Sequence, residues 1–336
     1  MHRFLYLDGI RALLCIWVVL FHYTERYNQL YNYSFGFSFE NGGVVGVAFF
    51  FTISGFVTMY TVRGGVKNIL SWFFHKMKRL YPEYIIACIV IFIFIKFFGL
   101  PGRDDINLID LFKDSLMLPF ISGHIETAHW YVLTLVKFYI CFCFVMKFKL
   151  QEKRLFYILY IAAVYVAFFC QKLNCFPLFS RFINIALNNS LCPSLMLGIL
   201  LYMSIFGGIH VMFYKISLVF VSLYLALTVH VFYIPLLLLL LYLLLLQTNH
   251  FMNCIRNILS VKILVFIGNV SYLWYLLHQN IGYILINKQI HVGFYRGLIP
   301  YITMLVTFLL ACIIYVLYMG IIKKQFSHYL RFNFVK

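Results

Sequence analysis

The chain has 336 residues, of which 64% are hydrophobic and only 11% charged, and its mean hydropathy is +0.92. A soluble domain carries about 25% charged residues, so this composition excludes an ordinary soluble protein and describes a polytopic membrane protein. The net charge of +17 would suggest nucleic acid in a soluble chain, but here the basic residues fall between apolar runs and act as positive-inside anchors, so no nucleic-acid partner is expected.

Ten apolar segments follow one another, at 5–24, 43–62, 82–99, 130–147, 154–171, 190–206, 211–229, 231–247, 262–286 and 298–322. The expected fold is all-α: a helical bundle of about ten transmembrane helices, read as one membrane domain over 1–336 with no separate soluble domain. The first segment lacks a small-residue cleavage site and is expected to stay as a span. Lys and Arg set the orientation. Arg63, Lys67, Lys76, Lys78 and Arg79 follow the second segment, and Lys147, Lys149, Lys153 and Arg154 follow the fourth. Lys323, Lys324, Arg331 and Lys336 follow the last. These loops and both termini are expected to be cytoplasmic.

The first segment holds Asp8, Arg11 and His22 in an otherwise apolar run. An ionisable group in a membrane helix is costly and usually faces a partner or a wet cavity. Arg11 and His22 sit ~20° apart around the helix axis and ~16 Å apart along it. Asp8 is within helical pairing reach of Arg11. The stripe fits a charged group near one membrane surface and a titratable imidazole near the other. It also fits a helix whose end is anchored by Asp8 and Arg11, with His22 among lipid headgroups.

The second segment carries Gly42, Gly43 and Gly46, then Ser54-Gly55, a small-residue pattern suited to close helix approach. Next comes Phe-His-Lys-Met-Lys-Arg-Leu-Tyr-Pro at 74–82. Pro82 is expected in the first turn of the third span. Lys76, Lys78 and Arg79 would then flank a helix N-terminus, a good anion site, or serve only as topological anchors. The fourth segment opens on His129-Trp130-Tyr131. His129 is expected either near His22 or solvated. The ninth contains Asn269, Ser271, His278 and Gln279, and Ser271 and His278 fall near one helical face. Core hydrogen bonding is the plain alternative for His278.

All ten acidic residues lie at or before Glu152, so any essential carboxylate comes from the first half. That counts against ion-coupled transporters, many of which place carboxylates in their spans. The nine cysteines read as small apolar residues, with no disulfide framework and no metal site expected.

Taken together these stretches resemble the acyltransferase-3 family of integral-membrane acyltransferases. The resemblance rests on Leu-Asp-Gly-Ile-Arg with the R-x10-H spacing of Arg11 and His22, and on the Gly-Val-x-x-Phe-Phe-x-Ile-Ser-Gly-Phe block at 46–56. It continues through Arg-Leu-Tyr-Pro at 79–82, the Trp-containing start of the fourth segment with Phe138-Tyr139, and Ser-Tyr-x-x-Tyr-Leu-x-His at 271–278. Lys76 stands where the family often has the first arginine of Arg-x-x-Arg. Leu135 stands where it often has a glutamate, and the usual glutamate near the end of the last span is absent.

The resemblance implies a protein of the bacterial cytoplasmic membrane that moves an acyl group, usually acetyl, from acetyl-coenzyme A to a hydroxyl of a surface glycan or its lipid-linked precursor. No cofactor would be bound permanently. His22 would be the general base or acyl-accepting nucleophile. Arg11 would stabilise the thioester oxyanion or hold the donor's phosphate-bearing arm, and Lys76, Lys78 and Arg79 would bind its phosphates. The donor would thread part-way across the membrane, with the acceptor approaching from outside. Asp8, Ser54, His129, Trp130, Ser271 and His278 are supporting candidates. A flippase of a lipid-linked glycan and a non-catalytic member of the same fold are the competing readings.

Overall fold

A computed structural model describes residues 4–103, 105–117, 125–173, 193–246 and 250–322. Among these the chain is helical and contains no strand. The helices are α1 (Leu5–Phe21), α2 (Tyr27–Tyr31), α3 (Gly42–Val62), α4 (Ile69–Phe98), α5 (Leu108–Ser115), α6 (Trp130–Lys147) and α7 (Arg154–Lys172). They continue with α8 (Pro193–Phe206), α9 (Val211–Val229), α10 (Ile234–Leu246), α11 (His250–Leu259), α12 (Lys262–Val292) and α13 (Ile299–Leu317). A π-helical turn, His22–Arg26, joins α1 to α2 without a break.

The chain is a multi-pass integral membrane protein. Six helical runs are long and apolar enough to cross a bilayer, and a seventh if α10 and α11, bent by 97° at their junction, count as one. Ten apolar segments thus give six or seven qualifying spans, for physical reasons. The apolar runs of α7 (Arg154–Cys170) and α8 are shorter than a full span. The 31-residue α12 is long, but its polar residues dilute its apolar character. Residues 190–192, 323, 324, 331 and 336 lie outside the described residues.

One local expectation is corrected and one is met. Pro82 does not open a span: α4 runs unbroken through it. An interior proline removes one rung and strains the helix, a cost that membrane helices tolerate when neighbours re-satisfy the freed groups. The cluster Lys76, Lys78 and Arg79 is therefore mid-helix and has no free N-terminal amides. The division near residue 230 is real: His230 takes the left-handed conformation (φ 56°) that closes α9, and its neighbour Val231 N–H bonds back to Ala226 O at 3.2 Å. Pro235 then sits in the first turn of α10, where its missing N–H costs nothing.

The residues group into two compact units. One comprises Met1–Leu7, Asn41–Leu80 and Trp130–Val261, the other Asp8–Glu40, Tyr81–His129 and Lys262–Lys336. In the first unit, α3 packs on α8 through two glycines set back to back. A Cβ at Gly55 would lie 2.1 Å from Leu195 O, and one at Gly198 would lie 2.0 Å from Thr52 O. Only glycine lets the two backbones approach this closely. Gly198→Ala is expected to destabilise by on the order of 1–3 kcal/mol through overpacking. Thermal unfolding of the purified variant in detergent checks this; an unchanged midpoint would mean that the helices part freely.

Candidate functional site

The polar residues of the second unit gather where α1 and its π turn lie along α12. The two helices run parallel. Asp8 meets Gly268, Cys15 Sγ lies 3.5 Å from Ser271 O, Tyr23 meets Gly282, and Tyr27 Oη bonds to Asn287. Two glycines permit the approach: a Cβ at Gly268 would fall 2.0 Å from Asp8 O, and one at Gly282 would fall 2.2 Å from the Tyr23 ring. The Tyr23 hydroxyl lies 2.7 Å from His278 O and 3.0 Å from Thr307 Oγ1. Trp274 Nε1 donates to the same Thr307 oxygen at 3.2 Å. In an apolar bundle each such group needs an internal partner, and here they find one another.

The π turn begins at His22. Such single widened turns are rare and recur at functional sites. The Thr24 hydroxyl donates to Leu20 O at 2.7 Å within it. The ring of His22 packs edge-to-face on His278, with centroids 4.9 Å apart, and its Nδ1 lies 3.3 Å from Tyr283 Oη. His22 is half-buried, whereas His278 is fully buried. His278 Nδ1 lies 2.6 Å from Tyr275 O. A carbonyl only accepts, so this nitrogen carries a proton. In the neutral ring the lone pair is then on Nε2, which is buried without a partner among the described residues.

A strap at 125–129 clamps the same stretch of α12. Its start is set by α5, whose N-terminus is closed by a capping box between Asn107 and Asp110. Asp114 on α5 accepts from Ile125 N–H at 2.8 Å. Glu126 then accepts from Ala128 N–H at 3.3 Å with one oxygen and from Asn280 N–H at 2.9 Å with the other. Asn280 Nδ2 donates to Ile125 O at 2.5 Å, Gln279 Nε2 to Thr127 Oγ1 at 2.7 Å, and Tyr275 Oη to Ala128 O at 3.0 Å. His129 Nε2 donates to Leu276 O at 3.2 Å, while its Nδ1 faces Cys88 Sγ at 3.7 Å. Leu276 O and Asn280 N–H are four residues apart, the two ends of one helical rung, and each meets a side chain of the strap.

The sequence model of the acyltransferase-3 family, described as an acyltransferase domain, matches residues 4–319, nearly the whole chain. The chain belongs to the acyltransferase-3 family. Neither a curated protein nor a solved structure gives a significant match. Membership makes the chain a membrane acyltransferase in general terms, with a bilayer, an acyl donor and an acyl acceptor as partners.

Against this family frame, the structure sorts the sequence candidates. Asp8, Arg11, His22, His129, Ser271 and His278 all lie in the second unit; Ser54, Lys76, Lys78, Arg79 and Trp130 lie in the first. Asp8 pairs with Arg11 at 3.6 Å. Because α1 is regular up to Phe21, Arg11 stays ~16 Å along the axis from His22. That is more than an arginine side chain spans, so Arg11 does not reach a carbonyl held at His22. His129 is not solvated: it is 1% exposed with both ring nitrogens engaged. Ser271 spends its hydroxyl on Gly268 O at 2.8 Å, a packing role.

In the first unit, Ser54 Oγ lies 3.5 Å from Tyr131 Oη, and Trp130 packs on Phe51 at 5.9 Å. Lys76 Nζ sits over Trp72 at 5.3 Å and Tyr139 at 5.6 Å, while Lys78 and Arg79 are exposed. Lys76 and Arg79 share a helical side and Lys78 does not.

Sequence reasoning passed over Tyr283, Glu126 and Asn280. A lone carboxylate just ahead of a span, beside the Gln279-Asn280 pair, was the available signal. Burial pushes the Glu126 carboxyl up from 4.5 to about 7, against the pull of the Asn280 and Ala128 N–H groups and of Arg103. A raised carboxyl holds its proton more tightly in the folded state. It therefore contributes stability in full below about pH 4.5, and this is lost as pH rises through about 7. Glu126→Gln is expected to flatten that part of the pH dependence of the unfolding midpoint. Parallel wild-type and variant profiles from pH 5 to 8 would show that Glu126 does not titrate there.

Proposed function

We propose that the chain is an O-acyltransferase that moves an acetyl group from acetyl-coenzyme A to a hydroxyl of a surface polysaccharide or its lipid-linked precursor, with His22 as general base. The observation that carries this reading is the inequality of the three clustered histidines. His129 commits both ring nitrogens to protein groups, and His278 is fully buried with Nδ1 committed. His22 is only half-buried, and its Nε2 is uncommitted among the described residues. A general base must be within reach of the proton that it takes, and of the three only His22 meets that requirement.

With Nδ1–H donating to Tyr283, the lone pair of His22 is on Nε2. It accepts the proton of the acceptor hydroxyl as that oxygen attacks the thioester carbonyl. The C–O bond forms, the C–S bond breaks, and the proton passes to the departing thiolate. The same nitrogen serves if the acetyl group pauses on histidine. The His278 ring, edge-on at 4.9 Å, holds the His22 plane. Arg11, too distant for the carbonyl, is assigned to the donor's arm. Arg79, exposed on α4, is assigned to the donor's phosphates.

His22→Ala is expected to lower acetyl transfer by 10²–10⁴-fold, the usual contribution of a general base (about 3–5 kcal/mol). The protein should still accumulate in the membrane. Tyr283→Phe removes one hydrogen bond and should cost on the order of fivefold, with a shifted pH–rate profile. NMR of the surface polysaccharide should lose its O-acetyl signals in the His22→Ala strain. Undiminished signals would sink the mechanism. Arg79→Ala should raise the KM for the donor and leave that for the acceptor unchanged; an unaltered donor KM would reduce Arg79 to a topology anchor.

A further inference from the structure

Helix α11 in the first unit carries a reversal of the usual amphipathic pattern. Its inward stripe is Met252, Arg256 and Leu259, while Asn253 and Asn257 face out. An arginine thus takes the central position of an apolar face. Arg256 is 8% exposed. Its guanidinium stands over the Tyr6 ring at 4.7 Å, and Nη2 donates to Leu245 O at 3.2 Å and to Tyr6 Oη at 3.5 Å. Its Nε–H is buried with no acceptor among the described residues. Among the described residues no carboxylate lies within 4.0 Å of it, and the chain has no acid after Glu152.

Uncompensated burial of a cation costs several kcal/mol, and in membrane proteins such groups mark ligand paths. A desolvated cation–π contact returns roughly 2 kcal/mol or somewhat more and supplies no counter-charge. The Tyr6 ring continues into a row of aromatics, to Phe4 at 5.8 Å and from there to Tyr60 at 4.9 Å. Arg63, exposed, covers Tyr60 at 4.0 Å. Two guanidiniums therefore flank one aromatic row.

We propose that Arg256 is the core of a binding site for a phosphate-bearing amphiphile, and that Arg63, at the other end of the Tyr6–Phe4–Tyr60 row, draws that anion in. A guanidinium fork matches phosphate geometry in two hydrogen bonds, and the aromatic row suits an apolar or ring-bearing body. Coenzyme A and anionic lipid headgroups share this chemistry. The test does not depend on the acyltransferase reading, because occupancy is measured without turnover.

The test titrates the unfolding midpoint of the purified full chain in non-ionic detergent. The probes are coenzyme A and phosphatidylglycerol, with phosphate-free pantethine and diacylglycerol as controls. A phosphate-bearing probe is expected to raise the midpoint saturably while its control does not. Arg256→Gln should weaken its apparent affinity at least tenfold. Arg63→Gln should weaken it about threefold at low salt and not at high salt, as screening requires. A response to coenzyme A alone assigns the site to a nucleotide-bearing ligand, and one to phosphatidylglycerol alone assigns it to lipid. Should Arg256→Gln not fold, Arg256→Lys, which keeps the charge and loses the fork, takes its place. The proposal is overturned if neither phosphate-bearing probe shifts the wild type, or if the Arg256 variant titrates like the wild type.

Discussion

The second unit turns on one helical rung of α12. Leu276 O and Asn280 N–H are met by His129 and Glu126, side chains of a short strap outside the helix. Backbone groups in an apolar bundle cannot rely on water, so these bonds commit the strap to a single register on α12. That register has consequences on both sides. It buries Glu126, and it consumes the nitrogens of His129, which removes that ring from the chemistry. On the opposite side the same stretch presents His278 and Tyr283 to His22. The polar network is thus a positioning device, and its members are satisfied almost to completion. Among the described residues the lone pair at His278 Nε2 has no partner, and it lies next to the group assigned as base.

Close helix approach makes that network possible. Gly268 and Gly282 bring α12 onto α1 at Asp8 and Tyr23. A methyl group at either position would separate the backbones and pull His278 away from His22. The first unit uses the same device at Gly55 and Gly198. Membrane helices gain nothing from burying apolar surface against each other rather than lipid, so such contacts depend on van der Waals fit and small residues.

Charge is distributed by a different logic. The second unit offsets Arg11 with Asp8, and its strap places Glu126 among N–H donors. Cations also rest on aromatic faces in both units: Arg63 on Tyr60, Arg256 on Tyr6 and Lys76 on Trp72 and Tyr139 in the first, Lys288 on Phe98 and Arg296 on Tyr33 in the second. Rings soften the cost of a cation but do not neutralise it.

The sequence by itself determined the membrane class, the helical fold and the family, because hydropathy and ordered local motifs survive without any knowledge of packing. It also singled out Arg11, His22 and His278, since polar residues in apolar runs are conspicuous. What each of them touches was decided by tertiary structure alone. His129 and His278 look alike in the chain, yet one has both nitrogens tied and the other has one. Pro82 suggested a helix start and lies mid-helix, because neighbours in a bundle can repair a broken rung. Glu126 passed for a loop acid and is fully buried, because its partner, Asn280, is 154 residues away in sequence. Periodicity and composition report what a segment is; which groups meet, and which are left with a free nitrogen or an unpaired charge, depends on contacts distant in sequence that no local pattern encodes.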